Sequence, residues 1–96
     1  MNEHTRRILA RMLMALKQYE TGSVSLRSLL DTLEGSTGAV EESLPASVSA
    51  RVDDAVLRLD VMVAMGRGAE RCVGPLEELE QLAAELSQYI EYTRDE

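Results

Sequence analysis

The stretch Ala55-Val56-Leu57-Arg58-Leu59-Asp60-Val61-Met62-Val63-Ala64-Met65 holds nine apolar residues in eleven, interrupted only by Arg58 and Asp60. It lies in a segment that reads as a helix from about Ala46 to Met65, and a helix that is apolar on most sides is buried on most sides. It is therefore expected to be the central helix of an all-α bundle. Pro45, comfortable in a first helical turn and restrictive of the residue before it, marks its start. Gly66-Arg67-Gly68 marks its end. Elsewhere apolar residues recur at steps of three and four, and no segment shows the sustained two-residue alternation of a half-buried strand.

Upstream, Ile8, Leu9, Met12, Leu13, Leu16 and Tyr19 form the apolar stripe of a first helix over about 3–20, with Asn2 as a candidate cap and Gly22 as its stop. A second helix, about 25–42, starts after Ser23 or Ser25, either of which can accept a bond from a first-turn N–H. Leu26, Leu29, Leu30 and Leu33 make its stripe, so the LxxLL spelling at 26–30 reads as core and not as a docking peptide. Gly35 and Gly38 each cost about 1 kcal/mol relative to Ala in a helix interior. The spacing fits both a continuous helix through Val40 and a break near Gly35. In a continuous helix, a glycine on the inner face would mean close approach of a neighbouring helix.

Downstream, residues 66–74 read as a loop, and Pro75 is placed to open a last helix, about 75–93, with Leu76, Leu79, Leu82, Ala83, Leu86, Tyr89 and Ile90 as its stripe. Four helices of about 15 to 20 residues span roughly 25 to 30 Å. Short connections favour antiparallel neighbours, so the expected fold is all-α, an antiparallel up-and-down four-helix bundle forming a single domain over 1–96.

At 96 residues and 10.6 kDa the chain has material for one hydrophobic core. No run approaches the roughly 20 apolar residues of a membrane span, and MNEHTRRILARM contains no signal-peptide core. Cys72, the single cysteine, cannot form an internal disulfide. A reducing, cytoplasmic setting is the expectation.

Charge says more about partners. The net charge is −7 and the sequence pI about 4.7, which argues against binding a phosphate backbone. With 3 Tyr and neither Trp nor Phe, the raw material for stacking bases is missing. Residues 1–20 carry four bases and two acids, residues 21–68 four and seven, and residues 69–96 two and eight. In an antiparallel bundle Arg6 and Arg7 would lie near Asp95 and Glu96, and a contact there is expected. Glu77 and Glu78 suit a helix N-terminus. Together with Glu41, Glu42, Asp53, Asp54 and Glu85 they form a candidate acidic, partner-binding face, whose ordinary reading would be solvated surface.

The catalytic inventory is thin. His4, the one histidine, sits among charged residues, and Cys72 has no histidine near it in sequence. Nucleophile–base pairing, a metal site and a bound cofactor are not expected, so neither is an enzyme. Gly66-Arg67-Gly68 follows a helix and lacks phosphate-loop spacing. Asp31, Glu34 and Asp60 are candidate buried or paired carboxylates. Inward-facing carboxylates bind metal in di-iron bundles, but the Glu-x-x-His pairs of those bundles are absent here. A lone buried charge is too costly, so Asp60 is expected at the surface or paired with Arg7, Arg11 or Arg27.

Tyr19-Glu20-Thr21-Gly22-Ser23-Val24-Ser25-Leu26, Leu29-Leu30-Asp31-Thr32-Leu33-Glu34-Gly35, Leu44-Pro45 and Leu57-Arg58-Leu59-Asp60-Val61-Met62-Val63-Ala64 resemble a pattern in small all-helical bacterial immunity-type proteins of contact-dependent growth inhibition and polymorphic toxin systems. There a YExG turn precedes an L-x-x-L-x-x-D-L-E helix, and a later helix carries L-E-x-x-x-A. The resemblance covers about residues 19–65. Asp60 stands where the pattern has Glu, and the aromatic before that position is missing. The resemblance implies a protein that binds and blocks a cognate toxin and catalyses nothing itself. Nuclease toxins tend to be basic because they hold nucleic acid, and an acidic inhibitor would associate with one rapidly. The lead expectation is thus an intracellular immunity or antitoxin-like protein presenting an acidic face to a basic toxin domain. Two alternatives stand beside it: a helical adaptor or homodimer using the last helix's stripe, and an enzyme with an acidic site at Asp31, Glu34 and Asp60.

Overall fold

The computed structural model describes residues 3–40, 44–70 and 76–93. Four helices account for most of them: α1 (Glu3–Glu20), α2 (Leu26–Ala39), α3 (Ala46–Ala64) and α4 (Glu77–Tyr92). The expected all-α antiparallel four-helix bundle is what forms. Its long axis of 41 Å accommodates 18- and 19-residue helices lying lengthwise, with the turns at the ends.

Local chemistry sets the ends. Both α1 and α3 stop on a glycine with positive φ, Gly22 at 79° and Gly66 at 84°. Each closes the same pair of backbone bonds. Ser23 N–H reaches Gln18 O and Gly22 N–H reaches Tyr19 O; Arg67 N–H reaches Met62 O and Gly66 N–H reaches Val63 O. These Schellman motifs satisfy carbonyls that the last turn leaves free. Of the two candidate serines, Ser25 caps α2, its hydroxyl accepting from Ser28 N–H at 3.2 Å. The turn after α3 then docks on that same end. Leu26 N–H donates to Glu70 O at 2.7 Å and Arg27 N–H to Gly68 O at 2.8 Å, so two more first-turn donors of α2 are satisfied by chain some 40 residues away.

The core is one layer of side chains from all four helices: Leu9, Met12 and Leu16 of α1, Leu26, Leu29 and Leu33 of α2, Val52, Ala55, Leu59 and Met62 of α3, and Leu79, Leu82 and Leu86 of α4. Each helix packs against two neighbours, with α1 diagonal to α3 and α2 diagonal to α4.

That ring corrects the expectation for α3. It is not a central helix buried on most sides. Four helices of similar length closing on each other leave none to surround a fifth position, so α3 buries one face, and Leu57, Val61 and Met65 on the other are exposed. Of the α4 stripe, Leu79, Leu82 and Leu86 are buried in the chain's own core, and Leu76, Ala83, Tyr89 and Ile90 pack against it partly buried.

Three smaller expectations change. α2 runs unbroken through Gly35 and Gly38 and ends at Ala39, but both glycines face outward with nothing within 4 Å of where a Cβ would stand. The close approach falls instead at Gly68, whose added Cβ would lie 3.5 Å from Arg27 Cβ. α4 starts at Glu77 with Leu76 as its N-cap, so Pro75 is not its first residue. The first-turn donors of Leu79 and Glu80 converge on Leu76 O, which sets the start there. Asn2, Pro75, Asp95 and Glu96 lie outside the described residues.

At the far end of the bundle the start of α1 does meet the end of α4. Arg6 Nη2 donates to Thr93 O at 2.6 Å, a guanidinium on the carbonyl end of a helix where positive charge is favoured. Arg7 pairs with Glu3 of its own helix at 3.4 Å instead. No described helix is long and apolar enough to cross a membrane.

Candidate functional site

The inner face of α3 claims the positions that repeat as Val48, Val52, Ala55, Leu59 and Met62. At 100° per residue this directs Asp53, Asp54, Arg58 and Asp60 to the outside, where all four are exposed. Two grooves flank this outer face. Between α2 and α3, a groove of about 350 Å³ is lined by Glu34, Thr37, Asp53, Val56, Leu57 and Asp60. Between α3 and α4, one of about 490 Å³ is lined by Asp54, Leu57, Arg58, Val61, Glu77, Glu78 and Gln81. Leu57 belongs to both and forms the ridge between them.

The carboxylates fall on both sides of that ridge: Glu34, Asp53 and Asp60 toward α2, and Asp54, Glu77 and Glu78 toward α4. Among the described residues, Arg58 is the one cation lining either groove. Glu77 and Glu78 are there because α4 begins at that point, and its N-terminal dipole tolerates them. Glu77 is further held by a relay across the two helices. Arg51 of α3 donates to the Gln81 side-chain oxygen, and Gln81 Nε2 donates to Glu77 Oε1 at 3.0 Å.

Two further bases are engaged elsewhere. Arg27 pairs with Asp31 at 3.3 Å within α2, and Arg67 with Glu70 at 2.6 Å in the turn after α3. Glu34, Asp53, Asp54, Asp60 and Glu78 have neither an ion-pair nor a hydrogen-bond partner among the described residues. Carboxylates collected without counter-charges repel one another, and an approaching cation relieves that repulsion.

The sequence candidates sort accordingly. Asp53, Asp54, Glu77 and Glu78 come together with Glu34 and Asp60 on one side of the bundle. Glu85, half-buried two turns along α4 from Glu78, lines neither groove. Glu41 and Glu42 lie outside the described residues. Of the three candidate buried or paired carboxylates, only Asp31 is paired among the described residues; Glu34 and Asp60 are exposed, and of the two places expected for Asp60, the surface or a pair with Arg7, Arg11 or Arg27, it takes the surface. The proposed acidic catalytic trio is thereby split, since Asp31 lines neither groove.

Among the described residues, no three of His, Cys, Asp and Glu are grouped so as to hold a metal ion. His4 is exposed at the start of α1, and Cys72 lies outside the described residues. A third groove, between α1 and α4, is apolar, with Lys17 beside Glu20 and Glu80, and lacks the one-sided charge of the α3 face.

The apolar component of the outer face, Leu57, Val61 and Met65, is what the sequence reading missed. Its signal was the same run of nine apolar residues in eleven. That is more apolar circumference than two neighbouring helices can cover. No family model, curated protein or solved structure matches this chain.

Proposed function

We propose that this chain is a cytoplasmic immunity or antitoxin-like protein, without catalytic activity, that neutralises a basic toxin domain by covering it with the acidic outer face of α3 and the start of α4. The observation that carries this reading is the set of carboxylates without partners among the described residues, Glu34, Asp53, Asp54, Asp60 and Glu78, gathered around one ridge. A surface of one sign raises the encounter rate with a partner of the opposite sign and disfavours others. Apolar side chains at its centre supply what charge alone does not, since exposed ion pairs contribute below about 1 kcal/mol each. The same ridge favours a second reading, a protein-interaction module with no toxin partner.

The test is co-expression of the tagged chain with the protein encoded by the adjacent gene. A complex captured at low salt, with inhibition of that protein's toxicity, supports the immunity reading. No complex even at about 20 mM salt, where the screening length exceeds 20 Å, refutes it. A complex without any toxicity to relieve favours the interaction module.

A further inference from the structure

α3 is apolar on two opposite sides, and the bundle uses one. Leu57, Val61 and Met65 point away from the core and are 65 %, 45 % and 68 % exposed. Spacing by four aligns them along the helix over about 12 Å, at 1.5 Å per residue. A continuous exposed apolar ridge with polar margins marks a contact surface. Here Leu57 borders both acidic grooves and Val61 borders the one toward α4.

We propose that this ridge docks a cationic amphipathic helix of a protein partner. That helix lies along α3 with its apolar stripe on Leu57, Val61 and Met65, and its lysines or arginines reach into the grooves on both sides. The proposal rests on the reading of this chain as a binder of a basic protein and adds the partner's secondary structure and the apolar anchor. Parallel ridges of this kind pack as helix pairs, and about three turns of partner helix cover the three side chains.

Charge selects the occupant. An acidic or neutral helix would bury the ridge and leave Asp53, Asp60, Asp54 and Glu78 half-desolvated without counter-charges. A second copy of this chain, itself of net charge −7, would set the same carboxylates against each other. A helix with bases on both flanks meets the need of both grooves at once. Arg58, at one margin, leaves the α2 side of the ridge the more strongly acidic of the two.

The experiment uses the full chain and a fluorescent synthetic peptide of about 14 residues, with leucines in one helical stripe and lysines on both flanks. Anisotropy is measured against the wild type, the double variant Leu57→Ser/Val61→Ser and the double variant Asp53→Asn/Asp60→Asn. A peptide of the same composition in scrambled order is the control. These side chains are exposed, so circular dichroism and thermal midpoint should match wild type for both variants. The expected result is binding by wild type. The ridge variant weakens it about tenfold or more at low and moderate salt, the carboxylate variant weakens it chiefly at low salt, and the scrambled peptide binds about tenfold more weakly.

Binding that is unchanged in the ridge variant, or equal for the scrambled peptide, overturns the proposal but leaves the acidic-face reading standing, because cations would then be adhering to the carboxylates alone. Failure of wild type to bind the peptide at low salt overturns the docking proposal; if the carboxylate variant also leaves capture of the adjacent gene's product unchanged, the acidic-face reading fails too. A wild type that sediments as a dimer at micromolar concentration, with the ridge variant a monomer, also overturns it, by identifying the occupant as a second copy.

Discussion

Leu57 and Leu59 stand two residues apart on α3 and end on opposite sides of it, Leu59 wholly enclosed by the core and Leu57 in solvent. The same residue type therefore does two different jobs within one turn. Leu59→Ala should destabilise the fold by about 2 to 5 kcal/mol through lost burial and the cavity left behind. Leu57→Ala should change stability by no more than about 0.5 kcal/mol. Urea denaturation of the two variants makes the comparison, and similar losses at both positions would contradict the orientation of α3.

Gly35 and Gly38 sit in the interior of α2 with open space where a side chain would project. Alanine at each should stabilise the protein by about 0.5 to 1 kcal/mol, the intrinsic difference between the two residues in a helix. Gly66 offers the contrast. Its φ of 84° lies where an L-residue is strained, so Gly66→Ala should cost about 1 to 2 kcal/mol although nothing crowds the position either. Thermal melts that shift upward for the first two and downward for the third are the expected pattern.

Removing the Arg6 guanidinium with Arg6→Ala takes a charged donor from Thr93 O at the end of α4, together with the other contacts of that side chain. A loss of about 1 to 2 kcal/mol is expected, with faster amide exchange over the last turn of α4. Arg7→Ala, which breaks only an exposed pair with Glu3, should cost a few tenths of a kcal/mol. Exchange that rises instead across α2 would contradict the assignment.

Ser25→Ala removes the side-chain acceptor for Ser28 N–H and should cost about 1 kcal/mol, whereas Ser23→Ala, at the other candidate cap, should be nearly neutral. The pair of melts decides between the two serines.

These sites also mark what was legible in the sequence. The limits 3–20 for α1, the stops at Gly22 and Gly66 and the leucine stripe of α2 follow from local periodicity and turn chemistry, which act within a few residues. Choosing between Ser23 and Ser25 needed the cap geometry itself. The path of α2 through two glycines depends on packing at Leu33 and Ser36, which outweighs a propensity cost of about 2 kcal/mol. The docking of Gly68 and Glu70 on the start of α2 is a contact between distant segments and leaves no local signature. For the acidic face, composition identified Asp53, Asp54, Glu77 and Glu78. Adding Glu34 and Asp60, and separating Glu85, required knowing which helices are neighbours. The exposed ridge was hidden by the inference that an apolar helix must be buried on most sides, which fails where a chain has only four helices to share.

The most direct measurement of the proposed interface is methionine oxidation in a complex with the adjacent gene's product. Met65 on the ridge and Met14 on the outer side of α1 are both exposed, at 68 % and 57 %, and α1 lies diagonally across the bundle from α3. Dilute peroxide should convert both to sulfoxide in the free chain, while the buried Met12 and Met62 react slowly. In the complex, Met65 should be protected about tenfold or more while Met14 reacts at its free rate. Protection of Met14 with Met65 still reactive would place the partner on the opposite side of the bundle and contradict the account.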